Sequence, residues 1–350
     1  MPKASAATPP TSPAADFGNL FSTGADQSAA ASIPMYRRAD DPDAPRRVTA
    51  PGGYEWWHFD AVSADARTRI IARFGFGPQF DAAWLRRYRR YRRRPTRVAP
   101  PIPSDEAYLE LRIFHDGRQA ADFCARAQSE AVEIEDAPLR IRIGTAALER
   151  AEEGVFHIVI PHRGGAGATL SFRPLAAASL QERAIPPGDP EGRHFWLPSP
   201  VSDVVEGTLH VAGDQAAFAG RGWREHSFGT GPIRPAFTWW LSGRLLDERG
   251  VIAFRWTRPA GGAADAACLV VGEGLEASVT APAVTVDAPS RPPTIIALGD
   301  ALRLESPQVI AREEGRALVV YRASGERSGE AMCEVLWRAR GLPLRLSWRR

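Results

Sequence analysis

The feature of this sequence that most constrains its fold is a long series of short segments in which apolar and polar residues alternate. The pattern is clearest after Glu106, where Leu109, Leu111 and Ile113 share one side of an extended chain. A tight-turn signal ending at Gly117 follows, and the next segment is expected to return antiparallel. Alternation of this kind, with regularly spaced turns, predicts an antiparallel barrel or sandwich.

The alternating segments fall into two groups, separated by a stretch rich in proline and glycine at Ile185–Arg193. With 350 residues, the chain is long enough for about two domains with hydrophobic cores. We therefore expect an all-β fold of two consecutive antiparallel β-barrels, at 46–190 and 191–350. Residues 1–45 begin with a run rich in alanine, serine and proline and are expected to form a disordered leader.

Composition and charge exclude several classes of function. The formal charge of +3 is too small to argue for nucleic acid as the partner. Three widely separated cysteines, with no CxxC spacing, argue against a disulfide framework and against a zinc site. The sequence shows neither a signal peptide nor an apolar run long enough to span a membrane. We therefore expect a cytoplasmic protein, whose oligomeric state the sequence leaves open.

One segment, Asp81–Arg97, predicts a short basic helix that ends at Pro95. It contains eight arginines, and its large apolar side chains recur at helical spacing: Trp84, Leu85, Tyr88 and Tyr91. One interpretation is a solvated lid whose aromatic residues pack on a barrel. Another is an interfacial helix at the inner face of the cell membrane, with its aromatic residues inserted at headgroup depth and its arginines drawn to anionic lipid. Nucleic acid is the least favoured partner, and we expect none.

The first predicted strand, Gly53–Val62, carries large side chains on both faces. One face carries Tyr54, Trp56, His58 and Asp60, and the other carries Glu55, Trp57, Phe59 and Ala61. Such a strand usually has one face in a cavity and the other under a second layer. We expect Asp60 to be structural, because a buried carboxylate must be satisfied by backbone N–H groups or by an arginine.

The candidate site lies in a glycine-rich stretch that reads GRGWREHSFGTG. In it, Glu225 and His226 stand close to Trp223, between glycines that permit sharp bends. Upstream, His194 and Trp196 are two residues apart and share a face if the backbone is extended. An aromatic pocket with one carboxyl group and two imidazoles suits proton transfer to or from an apolar substrate. The alternative is that the tryptophans belong to the core and that Glu225 and His226 form a surface turn.

These motifs carry a family resemblance. PGGYEWWHFDA at the first strand, then the arginine-rich segment, then GRGWREHSFGTGPI resemble the carotenoid 1,2-hydratase (hydroxyneurosporene synthase) family and its two-domain lipocalin-like relatives. The resemblance covers the chain from Pro51 onward. It implies two consecutive lipocalin-like β-barrels, no cofactor or metal, and addition of water to the terminal double bond of an acyclic carotene. Broader relatives on this scaffold include proteins that direct cyclisations and cycloadditions of polyenes.

The functional motifs of that family are His-x-Trp and, further along the chain, Tyr-x-Asp. The first matches the run from His194 to Trp196, whereas the second falls on Trp223 and Glu225. Glu225 keeps the acid and reaches one methylene further, while Trp223 keeps an aromatic wall without the hydroxyl group. The resemblance therefore implies that Glu225 is the acid, and it leaves the substrate open.

We expect Glu225 to protonate an isolated alkene and the indole faces to stabilise the tertiary cation that results. Burial among aromatic residues should raise its pKa from about 4.3 and keep it protonated near neutral pH. His194 or His226 would hold the attacking water and take its proton. The residues expected to bind the substrate are Trp196, Trp223, Trp57, Phe228 and Trp240.

The residues leave three functions open. The first is a cofactor-independent hydratase acting on the 1,2 double bond of an acyclic carotenoid or a related isoprenoid. The second is a polyene or terpenoid cyclase or pericyclase, because the same acid and walls without a placed water give cyclisation. The third is a non-enzymatic lipocalin-like carrier of a hydrophobic ligand.

Overall fold

The structure of the protein is a computed structural model. It describes residues 41–176, 179–182, 194–260, 265–274, 276–287, 291–313 and 315–337. Most of the predicted leader and the whole of the predicted boundary at Ile185–Arg193 lie outside these residues. Within the described ranges, the chain is almost entirely β-structure in two large sheets, which confirms the all-β prediction.

The first sheet has twelve strands. They are β1 (Tyr54–Ser63), β2 (Thr68–Phe76), β3 (Glu106–His115), β4 (Arg118–Gln128), β5 (Val132–Asp136), β6 (Leu139–Ile143), β7 (Ala146–Arg150), β8 (Phe156–Arg163), β9 (Ala166–Pro174), β11 (His194–Pro198), β12 (Asp203–Val211) and β13 (Asp214–Gly229). Neighbouring strands follow the order β4-β3-β2-β1-β13-β12-β9-β8-β7-β6-β5. The end of β13 that β12 does not cover pairs with β11.

The first sheet curls around a hydrophobic core. Strands β3 and β4, near one end of the order, contact β9 as the sheet bends back on itself. Trp57 and Phe59 of β1 are buried in this core together with Leu148 and Phe172 from distant strands. Alternation along each strand sends these side chains to one face, where burial of apolar surface stabilises the curl.

The second sheet has ten strands. They are β10 (Ser179–Glu182), β14 (Phe237–Asp247), β15 (Gly250–Pro259), β16 (Ala266–Glu273), β17 (Glu276–Thr280), β18 (Val284–Val286), β19 (Ile295–Leu298), β20 (Leu302–Glu313), β21 (Arg316–Gly325) and β22 (Gly329–Trp337). Their order is β10-β17-β16-β15-β14-β22-β21-β20-β19-β18. Leu241, Phe254 and Tyr321 lie in a second core, separate from that of the first sheet.

The chain crosses between the two sheets more than once, because β10 pairs with β17 of the second sheet, β11 to β13 lie in the first sheet, and the second sheet resumes at β14. The sheets therefore do not divide the chain at residue 190, where the domain boundary was expected. The reason is the long strand β13, which pairs with β1 on one side and with β12 and β11 on the other. Interstrand hydrogen bonds therefore hold 194–229 in the first sheet, although the proline-rich stretch precedes it in sequence.

The predicted helix is confirmed as α1 (Ala82–Arg93). The Asp81 carboxylate caps it by accepting a hydrogen bond from the backbone N–H of Trp84 at 2.8 Å. Among the described residues, the other helical pieces are α2 (Ile233–Ala236) and the 3₁₀ turns Pro103–Asp105, Ser129–Ala131 and Glu152–Gly154. In the part of the chain that the structure describes, no helix is long and apolar enough to cross a membrane.

The inner face of α1 packs on the protein. Trp84 is 1% exposed, and the ring of Tyr88 lies against Gly52, where an added Cβ would collide with it. Insertion of Trp84 into a membrane is therefore wrong, because its indole is already buried. The exposed side chains of the helix include Arg86, Arg89, Arg90, Arg92 and Arg93.

A network of buried charges joins the two sheets. Arg73 of β2 donates to Glu110 at 3.2 Å and to Glu334 of β22 at 2.7 Å. Arg316 of β21 donates to the same two carboxylates, at 3.0 and 2.5 Å. Burial disfavours the charge of Glu334, but Arg316 and Arg73 lower its pKa to about 2. Because each carboxylate binds arginines from both sheets, the network fixes the sheets against each other.

Candidate active site

The candidate site is built on the pairing of β1 with β13. In this antiparallel register, His58 lies opposite Glu225 and Asp60 lies opposite Trp223. Directly opposite residues of an antiparallel pair point to the same face. We call the face that carries Trp56, His58, Asp60, Trp223 and Glu225 the site face, and the reverse side of the two strands the opposite face. The predicted alternation of β1 is confirmed.

Side-chain donors surround the buried carboxylate of Glu225, which is 5% exposed. Nε1 of Trp196 donates to Oε2 at 2.5 Å, and Nε1 of Trp56 donates to Oε1 at 3.3 Å. The hydroxyl of Ser227 lies 3.4 Å from Oε1, and Nη2 of Arg255 lies 3.4 and 3.3 Å from the two oxygens. Oε2 is therefore held tightly, whereas the contacts of Oε1 are long for hydrogen bonds.

Arg255 of β15 brings the second sheet into the site. Its guanidinium carbon lies 4.6 Å from the ring centroid of Trp196 and 4.9 Å from that of Trp240. Both are cation–π distances. Nη2 also donates to the hydroxyl of Ser227 at 3.3 Å. Two indole faces and the Glu225 carboxylate therefore surround a buried cation.

The charge state of Glu225 corrects the expectation that its pKa is raised. Burial disfavours the ionised form, but Arg255, then His58, and then the indole N–H groups of Trp196 and Trp56 lower its pKa below the ordinary value. The resting carboxyl group is therefore an anion at neutral pH. The expectation failed because Arg255 reaches the site from the other sheet.

His58 is held in one tautomer by its two partners. Nδ1 lies 3.1 Å from Nη2 of Arg73, and Nε2 lies 3.0 Å from Oδ2 of Asp60. A guanidinium group only donates, so Nδ1 accepts and the proton on Nε2 is donated to Asp60. His58 therefore links the site face to the charge network that joins the sheets.

A small cavity opens beside Glu225 between the two sheets. Its walls include His58, Trp223, Glu225, Arg244 and Glu334. The cavity volume is about 20 Å³, and a single water needs roughly 10–15 Å³ on the same measure. The cavity therefore accommodates about one water, and side chains must move before an isoprenoid can reach Glu225.

His194 lies on the site face, as its spacing from Trp196 predicted. It pairs opposite Gly229, and Trp196 pairs opposite Ser227 on the same side of β11. The Nδ1 atom of His194 lies 3.1 Å from the hydroxyl of Tyr54, and its ring packs 5.2 Å from that of Phe237. His194 is thus the predicted imidazole that the fold keeps on the same side as Glu225.

His226 does not join Glu225, because neighbouring residues of a strand point to opposite faces. Its Nδ1 lies 2.7 Å from the carbonyl oxygen of Pro42, and its Nε2 lies 2.9 Å from Oε1 of Glu55. These contacts hold His226 on the opposite face, against Glu55 and the backbone at Pro42. The expectation that it holds the attacking water at Glu225 is corrected accordingly.

Two of the predicted substrate-binding residues also lie on the opposite face. Trp57 stacks on His226 at 4.5 Å and donates to the carbonyl oxygen of Asp43. Phe228 stacks on Phe195 at 4.7 Å, in a small cluster of its own. Because side chains alternate along β1 and β13, Trp57 and Phe228 lie on the face away from Glu225. The structure brings the other predicted walls, Trp196, Trp223 and Trp240, to the site side.

Asp60 is bound as the sequence predicted for a buried carboxylate. It is fully buried, and Nε of Arg244 donates to its Oδ1 at 2.5 Å. Its other oxygen, Oδ2, accepts a hydrogen bond from Nε2 of His58 at 3.0 Å. The partner is an arginine of the second sheet, so Asp60 contributes to the contact between the sheets.

Sequence reasoning missed Arg255 and gave no role to Trp56 and His58. Alternation had already placed Trp56 and His58 on one face with Asp60, so strand pairing with the Glu225 segment would have found them. For Arg255, the only signal was its place between Phe254 and Trp256, after a run of apolar residues. Among the described residues, no group of three or more His, Cys, Asp and Glu is close enough to hold a metal ion.

Fold and site together define a lipocalin-like protein of two curled sheets, with an aromatic-lined carboxylate between them. Two relatives share part of the sequence. A "Hydroxyneurosporene dehydrogenase" of Chlorobaculum tepidum is 26% identical over 215 residues, which are 58% of this chain and 56% of that protein. An "Acyclic carotenoid 1,2-hydratase" of Thiocapsa roseopersicina is 27% identical over 203 residues, which are 55% of this chain and 44% of that protein.

The chain thus spans about half the length of these two relatives. No protein-family model matches it. The sequence resemblance noted from the motifs is nonetheless confirmed by both relatives.

Solved structures confirm the lipocalin-like fold. A protein assigned as AttH from Nitrosomonas europaea has a TM-score of 0.55 at 11% identity, over 87% of this chain and 98% of that one. CghA in complex with Sch210972 has a TM-score of 0.54 at 12% identity, over 89% and 96%. Kievitone hydratase from Nectria haematococca has a TM-score of 0.50 at 10% identity, over 88% and 98%.

Proposed function

We propose that the protein is a hydratase that adds water to a carbon–carbon double bond of a hydrophobic isoprenoid, and that its substrate is an acyclic carotenoid with a terminal 1,2 double bond. The observation that carries the proposal is the water-sized polar cavity beside Glu225. A hydratase needs an acid, a position for water and a surface that stabilises a cation. Glu225, the cavity and the indoles of Trp196 and Trp240 supply these three parts.

In the proposed reaction, Glu225 both gives and recovers the proton. A proton on Oε1 passes to the less substituted alkene carbon, where the π electrons form the new C–H bond and leave a tertiary cation. Water then adds to the cation through an oxygen lone pair, and the resulting oxonium returns a proton to the carboxylate. The enzyme is regenerated, and the product is a tertiary alcohol.

The contacts of Glu225 suit this cycle in two ways. The indole N–H groups of Trp196 and Trp56, which lower the pKa of Glu225, also make its protonated form a stronger acid, and this favours transfer to a weakly basic alkene. After the transfer, the same groups hold the carboxylate next to the new cation. His194 lies on the same side, bonded to Tyr54, and is proposed to help orient the water.

The substrate proposal draws on the two relatives. One is named for an acyclic carotenoid 1,2-hydratase and the other for hydroxyneurosporene dehydrogenase, so both names refer to acyclic carotenoids. The tryptophans around Glu225 would suit the apolar end of such a chain. Hydration is favoured over cyclisation because the cavity at Glu225 has room for a water and several polar side chains in its walls that can bind one.

We further propose that α1 holds the protein at the inner, anionic face of the cell membrane, from which a polyene must be drawn. Trp84 is buried, so this contact would depend on the exposed arginines of α1 rather than on aromatic insertion. Each arginine near such a surface contributes about 1 kcal/mol. The protein should therefore sediment with anionic vesicles, leave them at high salt, and ignore neutral vesicles.

Incubation with lycopene or neurosporene in oxygen-18 water tests the reaction. A tertiary alcohol that carries the label supports the hydratase. An unlabelled isomer or ring product would identify a cyclase or pericyclase, and bound but unchanged polyene would identify a carrier. Either of the last two outcomes rejects the proposal. Glu55→Gln changes a buried carboxylate on the opposite face and should still give the labelled alcohol. It is the control for loss of activity through a general disturbance of the fold.

A further inference from the structure

We propose that Trp196, Trp240, Glu225 and Ser227 form a binding site for an organic cation, and that the guanidinium of Arg255 is its occupant in the resting protein. The ligand class is an ammonium or carbenium group on an isoprenoid chain. This inference rests on the proposed function, in which the cation is the tertiary carbocation. It adds that Arg255 must withdraw before the substrate end can take its place.

The first support is the geometry around Arg255. Its guanidinium carbon lies over the rings of Trp196 and Trp240, at 4.6 and 4.9 Å from their centroids. Its Nη2 faces the Glu225 carboxylate at 3.3 Å and the Ser227 hydroxyl at the same distance. Aromatic faces with a nearby anion are what a weakly hydrated cation requires when water is excluded. The protein therefore already stabilises a planar cation at this position.

The second support is that Arg255 is held more loosely than other buried arginines. Its shortest hydrogen bond is 3.3 Å, whereas that of Arg73 is 2.7 Å and that of Arg316 is 2.5 Å. Among the described residues, Arg73 pairs with two carboxylates and Arg316 with three, whereas Arg255 pairs with one. Burial lowers the pKa of Arg255, while carboxylates raise the pKa of the other two. Arg255 is thus an incompletely compensated buried charge that a better-fitting cation can replace.

Withdrawal of Arg255 has a consequence for Glu225. Burial is the largest influence on the pKa of Glu225 and acts to raise it, while Arg255 is the largest influence that lowers it. A neutral alkene that displaces Arg255 would therefore favour protonation of Glu225 at the moment when an acid is needed. A cationic ligand would instead replace the charge of Arg255 and keep the carboxylate ionised.

The test compares 3,7-dimethyloctyltrimethylammonium, whose isoprenoid chain is saturated, with its neutral isostere, in which a tert-butyl group replaces the trimethylammonium group. Binding is measured by calorimetry on wild type, Arg255→Ala and Arg255→Met. In Arg255→Ala the site is open, and the ammonium probe should bind at least about tenfold more tightly than it binds wild type, and at least about tenfold more tightly than the neutral probe. Arg255→Met fills the space without charge and should gain less. Adding Glu225→Gln to Arg255→Ala should remove most of the preference for charge.

Equal binding of the two probes to Arg255→Ala would overturn the proposal, and so would equal binding of the ammonium probe to wild type and Arg255→Ala. If Arg255→Ala does not fold, Arg255→Lys carries the test. Lysine keeps the charge but lacks the planar group that covers the indoles, so the ammonium probe should again bind more tightly than to wild type, and unchanged binding overturns the proposal. Neither probe is turned over, so this assay and the labelled-water assay fail independently.

Discussion

The two faces of the β1–β13 pair carry the same kinds of residue in different settings. Each face has a buried glutamate and a histidine, which are Glu225 and His58 on the site face and Glu55 and His226 on the opposite face. The His58 ring lies between Arg73 and Asp60, whereas the His226 ring lies between the carbonyl oxygen of Pro42 and Glu55. A buried carboxylate next to imidazole and indole is therefore not by itself an acid–base site.

The two glutamates differ in the groups that donate hydrogen bonds to them. Backbone N–H groups of Arg46 and Arg47 donate to Glu55 at 2.5 and 2.9 Å, so its bonds break only if the chain moves. Glu225 accepts from side chains alone among the contacts described, and one of them, Arg255, is loosely held. Side chains can rearrange when a substrate binds, and a water-sized cavity adjoins this carboxylate. We infer that exchangeable donors distinguish a reactive carboxylate from a structural one.

The largest expected effect separates the two glutamates directly. Glu225→Gln should reduce hydration turnover by roughly 10³-fold or more, because the proton donor is lost. Glu55→Gln should leave turnover within a few-fold of wild type and destabilise the protein by about 1–3 kcal/mol, because a buried acceptor is compromised. Initial rates and thermal unfolding are measured on both variants. Retained activity in Glu225→Gln would remove it as the acid, and inactivity in a folded Glu55→Gln would contradict the division between the faces.

The pH dependence is expected to be the next largest effect. The pKa of Glu225 is lowered in the free protein, so the protonated form becomes scarcer as pH rises. If this form is the acid, kcat/KM should fall about tenfold for each pH unit between pH 6 and 8. Displacement of Arg255 by substrate should move the decline in kcat to higher pH, because kcat reports the bound complex. A rise in kcat/KM with pH would mean instead that the carboxylate is the active form.

Two tryptophans give a smaller contrast. Trp196→Phe keeps an aromatic ring but loses the N–H group that donates to Oε2 of Glu225 at 2.5 Å. A hydrogen bond to a charged group contributes about 1.5–3 kcal/mol, so turnover should fall roughly 10- to 100-fold. Trp57→Phe loses a bond to a backbone carbonyl on the opposite face and should lower stability without that loss of rate. Equal kinetic losses in both variants would show that the rate follows general packing.

Much of the architecture could be predicted from the sequence, because alternation is a local property of each strand. It placed Trp56, His58 and Asp60 on one face, and it placed His194 with Trp196. The same rule, applied to Glu225 and His226, would have separated them, since they are neighbours in one strand. Grouping by closeness in sequence, rather than by face, also brought Trp57 and Phe228 wrongly into the pocket.

What the sequence could not provide is the packing of one sheet on the other. Arg255 reaches Glu225 from β15, and its charge reverses the direction in which burial alone would shift the pKa of Glu225. Nothing in the pattern of β13 indicates which residue of a distant strand will lie against it. The water-sized cavity has the same origin, because both sheets line it.

The smallest expected effect on rate concerns Asp60, which lies on the site face and yet has structural partners. It accepts from Arg244 at 2.5 Å and from His58 at 3.0 Å, and it is fully buried. Asp60→Asn leaves the Arg244 charge uncompensated, so the free energy of unfolding should fall by about 3–5 kcal/mol. Turnover of the folded fraction should stay within about threefold of wild type, because Asp60 touches Glu225 only through His58.

The double variant Asp60→Asn with Arg244→Gln provides the control for the Asp60 prediction. It removes both charges and should recover part of the lost stability, since a buried pair replaced as a whole costs less than one broken in half. Chemical denaturation and initial rates are measured on the single and double variants. A normally stable but inactive Asp60→Asn would assign Asp60 to the reaction. The site face would then act as one connected acid–base chain, from Glu225 through His58 to Asp60, instead of a single reactive carboxylate with a structural neighbour.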